Sequence, residues 1–328
     1  MREKIFAAII GSFIVLLSIP GSVVAPVAQA STGGEPAHPR AFLARLPLAD
    51  VRRAPTKIVG AHGEESLGVK TTAPRVYVVD AQSGAALFAK HEDEPAPPAS
   101  ITKLMTARVL RAHGLDWDAQ VTIETTADGG GVAYFVPGDE VTVRDLWKAM
   151  LIGSSNAAAV ALADWTGLTE EQFVGEMNAN AAGLGMASTH FADVTGLSPE
   201  SVTTAHDVAA LARAAFADPE ISQTAILPGF MMVKSRGVAR KVTSTDKLLA
   251  SFVNKPPYRI MGGKTGFINE SGYNIVLQIS RENAAPIIVV VLGSGASDLR
   301  FQEAKSVAYW TFQNYRWPAG ALAKASTP

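Results

Sequence analysis

Ala99-Ser-Ile-Thr-Lys-Leu-Met-Thr-Ala107 opens an apolar stretch with helical periodicity, directly after three prolines between positions 95 and 98. Proline interrupts regular structure, so we predict a helix that begins near Ser100 and runs to about His113. Ser100 and Lys103 lie three residues apart and therefore share one face of that helix. The pair is a candidate nucleophile and base, although Ser-x-x-Lys alone occurs by chance in many proteins.

Two further motifs follow along the chain. Ser154-Ser155-Asn156 lies between two predicted helices, and Lys264-Thr265-Gly266 precedes an apolar strand. Each has a simple structural explanation when taken alone: serine and asparagine cap helices, and a lysine at the end of a strand is usually solvated. In this order and on these elements, the three motifs together predict an acyl-transfer site.

Each motif contributes a different chemical group. A serine hydroxyl is a weak nucleophile, but a lysine held neutral by burial or by a nearby cation can take its proton. In the second motif, a serine can relay a proton and an asparagine amide can hold a substrate backbone. In the third motif, the lysine and threonine can bind a carboxylate, and the glycine allows close approach of a backbone. The catalytic candidates are Ser100, Lys103 and Ser154, and the substrate-binding candidates are Asn156, Lys264, Thr265 and Gly266.

Strands predicted near both ends of the chain enclose a helical middle. This order predicts an α+β fold, with one antiparallel sheet, a helical lobe beside it and the site in the cleft between. The predicted strands span 75–80, 85–90, 121–124, 140–143, 230–235, 258–263, 273–281 and 286–293. The predicted helices after the first span 144–153, 156–165, 170–184, 205–217 and 298–315.

Composition excludes several classes of function. Of the 328 residues, 48% are hydrophobic, which suits a large buried core, and the formal net charge of −1 shows no basic excess for binding nucleic acid. There is no cysteine, so disulfides and thiolate metal sites are excluded, and the six histidines are scattered. We predict no metal and no cofactor.

The N-terminus has the pattern of a secretory signal peptide. Arg2 and Lys4 precede an apolar run, and Ala28-Gln-Ala30 provides a cleavage site. An uncleaved anchor is the alternative, but the run is shorter than the roughly 20 residues that a spanning helix needs. The predicted organisation is a signal peptide (1–30), a linker or flexible arm (31–72) with order beginning near 74, a catalytic domain (73–318) and a tail (319–328). We therefore expect an extracytoplasmic location.

The motifs and their surroundings resemble the serine-type D-alanyl-D-alanine carboxypeptidases, which are low-molecular-mass penicillin-binding proteins. The resemblance includes the 99–107 segment, Gly138-Asp-Glu-Val-Thr-Val-Arg-Asp-Leu146, Thr195-Gly-Leu197 and the 263–273 segment, and it covers roughly 74–315. It implies a β-lactamase/transpeptidase-like fold and a Ser100 acyl-enzyme formed from peptidoglycan stem peptides ending in D-Ala-D-Ala. It also implies acylation of Ser100 by β-lactams and an oxyanion hole made by the backbone N–H groups of Ser100 and Phe267, which adds Phe267 to the substrate-binding candidates.

The sequence departs from the family pattern in two ways. Ser155 and Ala157 replace a glycine and an aspartate that are common there. After Tyr315 the sequence predicts neither the β-rich second domain nor the permanent amphipathic membrane anchor of many relatives. A DD-endopeptidase that cleaves cross-links is therefore an alternative. Less favoured are a β-lactamase, because Glu170 and Glu171 begin a predicted helix, and a non-catalytic penicillin-binding sensor, because the motifs are intact.

Overall fold

The computed structural model describes residues 54–59, 66, 68–124, 133–234, 237 and 239–318, all within one compact unit, Pro39–Pro328. Their central feature is a five-stranded antiparallel sheet in the order β3-β2-β10-β9-β8. The sheet therefore joins strands from both ends of the chain, as predicted. Its strands are β2 (Arg75–Asp80), β3 (Ala86–Lys90), β8 (Tyr258–Ile268), β9 (Gly272–Arg281) and β10 (Ala284–Ser294).

Strand β10 lies at the centre of this sheet and is buried on both faces. One face packs on the C-terminal helix α7 (Ser297–Asn314), and the other packs on the helical lobe. Successive side chains of a strand point to opposite faces, so a sheet covered on both sides reads as a continuous apolar run. The side chains on the α7 face are Ile287, Val289 and Val291, and those on the lobe face are Ile288, Val290 and Leu292.

The helical lobe lies between β3 and β8 in the chain. Three of its helices begin at threonines whose side chains accept the backbone N–H three residues later: Thr142, Thr169 and Thr204. These caps are the sequence signals that predict the helix starts. The helices of the lobe are α1 (Lys103–Ala112), α2 (Val143–Ile152), α3 (Asn156–Trp165), α4 (Glu170–Gly183), α5 (Ala205–Phe216) and α6 (Pro219–Ala225).

The described residues also form three two-stranded sheets and three short 3₁₀ helices, Ala99–Thr102, Lys247–Ala250 and Phe252–Asn254. Two of these sheets belong to the lobe and pair neighbouring strands of the chain. The third sheet joins the start of the described chain to its end, because β1 runs antiparallel to β11. The pairs are β1 (Thr56–Lys57) with β11 (Tyr315–Arg316), β4 (Gln120–Thr122) with β5 (Glu140–Thr142), and β6 (Gly229–Val233) with β7 (Ala239–Thr243).

The predicted helices and strands are confirmed within a few residues, but β8 extends further than predicted, and α6, β7 and the short pair β1 and β11 were not predicted. Strand β8 continues to Ile268, so the third motif lies inside a strand rather than after one. Helix α6 was missed, although Asp218 followed by Pro219 is a helix-start signal. Strand β7 was missed because Val242 is its one buried residue, so it lacks the apolar alternation that marks a strand.

The prediction that order begins near Pro74 was wrong, because β1 lies well before it. A two-residue strand has no periodic signal, and its partner is far away in sequence. The predicted signal peptide (1–30) and the predicted tail (319–328) lie outside the described residues. In the part of the chain that the structure describes, no helix has the length and apolar character needed to cross a membrane.

Candidate active site

The three predicted motifs come together between β8 of the sheet and the helical lobe. Lys103 Nζ lies 3.0 Å from Ser100 Oγ and 2.6 Å from Asn156 Oδ1. Lys264 Nζ lies 2.7 Å from Ser154 Oγ. Because only Ser155 separates Ser154 from Asn156, the two lysines contact the same short segment, and the charge of Lys103 acts on Lys264. The three motifs therefore form a single polar cluster.

Lys103 is completely buried, and its amine has three hydrogen-bond acceptors. Two are the Ser100 and Asn156 side chains, and the third is the carbonyl oxygen of Thr195 at 2.7 Å. Burial lowers the pKa of Lys103 to about 7, opposed by the negative charge of Asp193. Near neutral pH a large fraction of the amine is therefore uncharged and able to accept the proton of Ser100.

Ser100 lies in a 3₁₀ turn, Ala99–Thr102, that leads directly into α1. The residue before it, Ala99, has a φ of 52°, a left-handed conformation that is unfavourable for a side chain with a Cβ. Asn274 of β9 holds this segment, because its Nδ2 donates to Pro97 O and Pro98 O at 3.1 and 3.2 Å. The sheet therefore supports the strained backbone that presents the serine.

Two glycines allow the serine segment to approach its neighbours. A Cβ on Gly266 would lie 2.9 Å from Pro98 O and 3.2 Å from Ser100 N. A Cβ on Gly196 would lie 1.9 Å from Ala99 O, and the φ of Gly196 is +82°. The absence of a side chain at Gly266 thus lets the serine turn pack against β8.

The loop 193–197 completes the surroundings of Lys103. The carboxylate of Asp193 accepts hydrogen bonds from Thr195 Oγ1 and from the backbone N–H groups of Gly196 and Leu197. These bonds fix the loop that directs Thr195 O at the lysine. Sequence reasoning noted Thr195-Gly-Leu197 but assigned it no role. The local sequence signal for this loop is Asp193 two residues before Thr-Gly, because aspartate side chains stabilise turns by accepting hydrogen bonds from nearby backbone N–H groups.

The second motif combines capping with site chemistry. Ser155 is the N-cap of α3, and its Oγ accepts the N–H of Ala158 at 3.2 Å. Ser154 precedes it with a φ of 58° and directs its side chain to Lys264. Asn156, the first residue of α3, contacts Lys103. The capping explanation is therefore correct for Ser155, and the two flanking side chains are those that reach the lysines.

The third motif lies on β8, an edge strand of the five-stranded sheet. Lys264 is 1% exposed, and its Nζ also donates to Thr265 O at 2.9 Å. Burial lowers its pKa well below the ordinary value, and the charges of Lys103 and Arg300 lower it further, opposed by Asp246.

The two residues that flank Gly266 have different surroundings. Thr265 Oγ1 lies 2.6 Å from the hydroxyl of Thr245, a residue that follows β7. Phe267 is 44% exposed and stacks on Tyr273, with ring centroids 4.3 Å apart. One face of Tyr273 also receives the guanidinium of Arg300, 5.3 Å from the ring centroid. The partly exposed ring of Phe267 therefore lies next to the third motif and is held in place by the ring of Tyr273.

Comparison with known proteins identifies this arrangement. Residues 62–296 match the sequence profile of a peptidase family, D-alanyl-D-alanine carboxypeptidase. The chain belongs to this family. The resemblance predicted from the motifs is therefore confirmed.

Relatives in the family carry two kinds of name. D-alanyl-D-alanine carboxypeptidase DacC of Escherichia coli is 33% identical over 265 residues, which are 76% of this chain and 64% of that protein. A D-alanyl-D-alanine endopeptidase of Pseudomonas aeruginosa is also 33% identical, over 75% of this chain and 80% of that protein. The chain thus spans somewhat less than two thirds of DacC.

Solved structures confirm the predicted α+β fold of the DD-peptidase and transpeptidase type. The Streptomyces K15 DD-transpeptidase is 27% identical with a TM-score of 0.69, covering 76% of this chain and all of that one. Penicillin-binding protein D2 of Listeria monocytogenes, solved with cefotaxime bound, is 30% identical with a TM-score of 0.65, covering 75% of this chain and all of that one.

Two weaker interpretations of the sequence can be compared with the structure. Glu170 and Glu171, considered as water-activating residues of a β-lactamase, lie in the exposed first turn of α4. Within the described ranges, no cluster of three or more histidine, aspartate or glutamate side chains is arranged to hold a metal ion.

Proposed function

We propose that the chain is a serine-type D-Ala-D-Ala carboxypeptidase that trims peptidoglycan stem peptides through an acyl-enzyme on Ser100. One observation carries the proposal: the buried amine of Lys103, with its pKa near 7, lies 3.0 Å from Ser100 Oγ. A serine needs such a neighbour to become nucleophilic, and a charged surface lysine could not serve.

Acylation begins with the neutral Lys103 amine. It takes the Ser100 proton while Ser100 Oγ forms a bond to the carbonyl carbon of the penultimate D-alanine. The backbone N–H groups of Ser100 and Phe267 stabilise the oxyanion. The C–N bond then breaks, and the proton that Lys103 took from Ser100 passes through Ser154 to the departing nitrogen of the terminal D-alanine, which leaves Lys103 neutral again. The Oγ of Ser154 lies 2.7 Å from Lys264 Nζ. Water finally attacks the ester carbonyl carbon and gives one proton to Lys103. The bond to Ser100 Oγ breaks, Lys103 returns that proton to Ser100 Oγ, and the shortened peptide is released.

The remaining site residues bind the substrate. Lys264 and Thr265 bind the carboxylate of the terminal D-alanine, because both lie on the edge strand of the sheet and the protonated form of Lys264 attracts an anion. Asn156 holds the substrate backbone through its amide while Oδ1 orients Lys103. Gly266 keeps Ser100 against β8 and so positions the nucleophile.

The substrate lies outside the cytoplasm, and we propose that residues 1–30 direct export and are removed before residues 73–318 act as the catalytic domain. Peptidoglycan is assembled in the extracytoplasmic space, where an exported chain meets it. N-terminal sequencing of the exported protein tests this part of the proposal. A chain that begins near Ser31 supports it, and a chain that retains Met1 contradicts it.

A fluorescent penicillin tests the catalytic proposal, because β-lactams mimic the D-Ala-D-Ala dipeptide and acylate the same serine. The protein and Ser100→Ala are incubated with the probe, and bound label is followed over time. Stable labelling of the protein and none of Ser100→Ala is the expected result. Rapid loss of label indicates a β-lactamase instead, and failure to label contradicts an acylating site.

A DD-endopeptidase is the second candidate function. The observation that favours it is the equal identity, 33%, to a relative named carboxypeptidase and to one named endopeptidase. A D-Ala-D-Ala pentapeptide and a cross-linked peptide dimer distinguish the two. Release of D-alanine from the pentapeptide supports the carboxypeptidase, whereas preferential cleavage of the dimer supports the endopeptidase.

A further inference from the structure

A buried carboxylate lies behind the third motif and has no role in the mechanism above. Asp246 follows β7 and is 6% exposed. Its Oδ1 accepts the backbone N–H of Leu248 at 2.9 Å. Its Oδ2 is buried and has no hydrogen-bond partner among the residues that the structure describes. Burying a carboxylate oxygen without a hydrogen bond costs folding free energy, so its presence at this position suggests a role.

The segment that carries Asp246 packs against the motif strand. Thr245 contacts Thr265 through their hydroxyls. A Cβ on Gly263 would lie 2.9 Å from Asp246 Oδ2, so the absence of a side chain at Gly263 makes room for the carboxylate. The free oxygen therefore stands against the backbone of β8, one residue before Lys264.

The charges around Asp246 are mostly positive and mostly buried. Lys264 faces it from β8, and Arg300 faces it from α7, where the Arg300 side chain is 8% exposed and donates to Gly266 O at 3.0 Å. Lys247, the next residue along the chain, is largely exposed and pairs with Asp298 at 2.8 Å. Asp246 is thus the buried anion beside two buried cations.

We propose that Asp246 is a positioning residue that keeps Lys264 charged for binding the terminal carboxylate of the substrate, and so sets the upper pH limit of carboxylate recognition. The inference rests on the proposed function, which assigns that carboxylate to Lys264 and Thr265. It adds a group that touches no substrate and acts through the lysine.

Electrostatics gives the direction of the effect. Burial, Lys103 and Arg300 all lower the pKa of Lys264, and Asp246 opposes them. Burial raises the pKa of Asp246 itself to about 6, while the Leu248 N–H, Arg300 and Lys264 act to lower it. The carboxylate is therefore ionised above about pH 6, in the range where Lys264 most needs a counter-charge.

The isosteric variant Asp246→Asn tests the proposal, because it keeps an oxygen for the Leu248 N–H and removes the charge. The KM and kcat of a D-Ala-D-Ala peptide are measured from pH 5 to 9. We expect similar KM values at pH 5, where the carboxylate is protonated. In the variant, KM should begin its alkaline rise about one pH unit earlier, the displacement that a single nearby charge produces, while kcat changes less.

Asp218→Asn is the matched control. Asp218 is also a buried N-cap, with Oδ1 accepting the N–H of Glu220 at 2.8 Å, but it belongs to α6 and pairs with Arg111. It should lower thermal stability without moving the KM profile. Superimposable KM profiles for Asp246→Asn and the unmodified protein overturn the inference alone. If the unmodified protein is not labelled by fluorescent penicillin, the proposed function is contradicted, and so is this inference, which depends on it.

Discussion

Two buried lysines in one cleft are suited to opposite tasks. Burial lowers the pKa of both, but their neighbours differ. Lys103 contacts three neutral acceptors, and its pKa of about 7, which Asp193 acts to raise, lets it release its proton near neutral pH. Lys264 has two cations nearby, Lys103 and Arg300, which lower its pKa further, and Asp246 opposes them by favouring the charged form. The same residue type can therefore serve as a base at one position and as an anion-binding group at the other.

The pH dependence of acylation follows from Lys103. Its pKa is about 7, and the neutral form is the base, so the base is depleted below that pH. We expect the second-order rate of penicillin labelling to fall about tenfold per pH unit below 7, as a single required deprotonation dictates. A stopped-flow or quench series from pH 5 to 8 measures this. A flat profile would rule out Lys103 as the base.

The two adjacent serines of the second motif should respond differently to removal of their hydroxyls. Ser154→Ala removes the proposed relay, and acylation should slow by about 100-fold, the lower range for general acid–base groups. Ser155→Ala removes the N-cap of α3 and should cost about 1 kcal/mol of stability, with labelling close to normal. Labelling rates and urea unfolding of both variants distinguish the relay role of Ser154 from the capping role of Ser155. Equal loss of labelling would contradict the division of roles.

At the level of elements, the site depends on how closely a 3₁₀ turn and a strand approach. The turn that carries Ser100 packs against β8 and β9. Asn274 of β9 holds it by hydrogen bonds, and the absence of a side chain at Gly266 of β8 lets it pack closely. The strain at Ala99 persists because these contacts on both sides determine the backbone. Ser100 is therefore positioned by the sheet as much as by its own helix.

Gly266→Ala tests this contact. The new Cβ would lie 2.9 Å from Pro98 O and push the serine turn away from β8. A displacement near 1 Å should slow acylation by about 100-fold. The control is Gly175→Ala in α4, where a Cβ meets nothing within 4 Å and should stabilise the helix by about 0.5–1 kcal/mol. Normal labelling of Gly266→Ala would show that the contact does not position the nucleophile.

At the scale of the whole molecule, one buried glutamate ties distant parts of the chain together. Glu303 of α7 is 7% exposed, and its Oε1 accepts from the backbone N–H groups of Thr72 and Ala73. Its Oε2 accepts from Ser294 at the end of β10. Burial acts to raise its pKa, but the hydrogen bonds from Ser294, Thr72 and Ala73 outweigh burial and hold the pKa below its ordinary value.

Glu303→Gln should therefore destabilise the protein at neutral pH by about 1–3 kcal/mol, since a buried donor loses its acceptor. A depressed carboxyl pKa contributes stability that is present above the unfolded value and lost as pH falls through the folded one. The deficit should thus shrink from pH 7 toward pH 4. Urea unfolding at both pH values measures it, with exposed Glu282→Gln as control. A deficit that grows with acid would contradict the assignment.

The sequence predicts the motif elements well, because local signals specify them: threonine caps start helices, and apolar runs mark buried strands. The motif residues could also be named, since their order and residue types are chemically specific. The contacts that support these residues could not be predicted from the sequence. Asn274 reaches the serine turn across more than 170 positions, and Asp246 and Arg300 act on Lys264 from other elements of the fold, which no local pattern reveals.

The claim that Ser100 is the acylated nucleophile is tested most directly by locating the adduct. The protein is incubated with penicillin and digested, and the peptides are mapped by mass spectrometry, with Ser100→Ala treated in parallel. The account predicts one adduct of the mass of the intact β-lactam on the peptide that contains Ser100, and none in the variant. An adduct on any other residue, or an adduct that persists in Ser100→Ala, would contradict it.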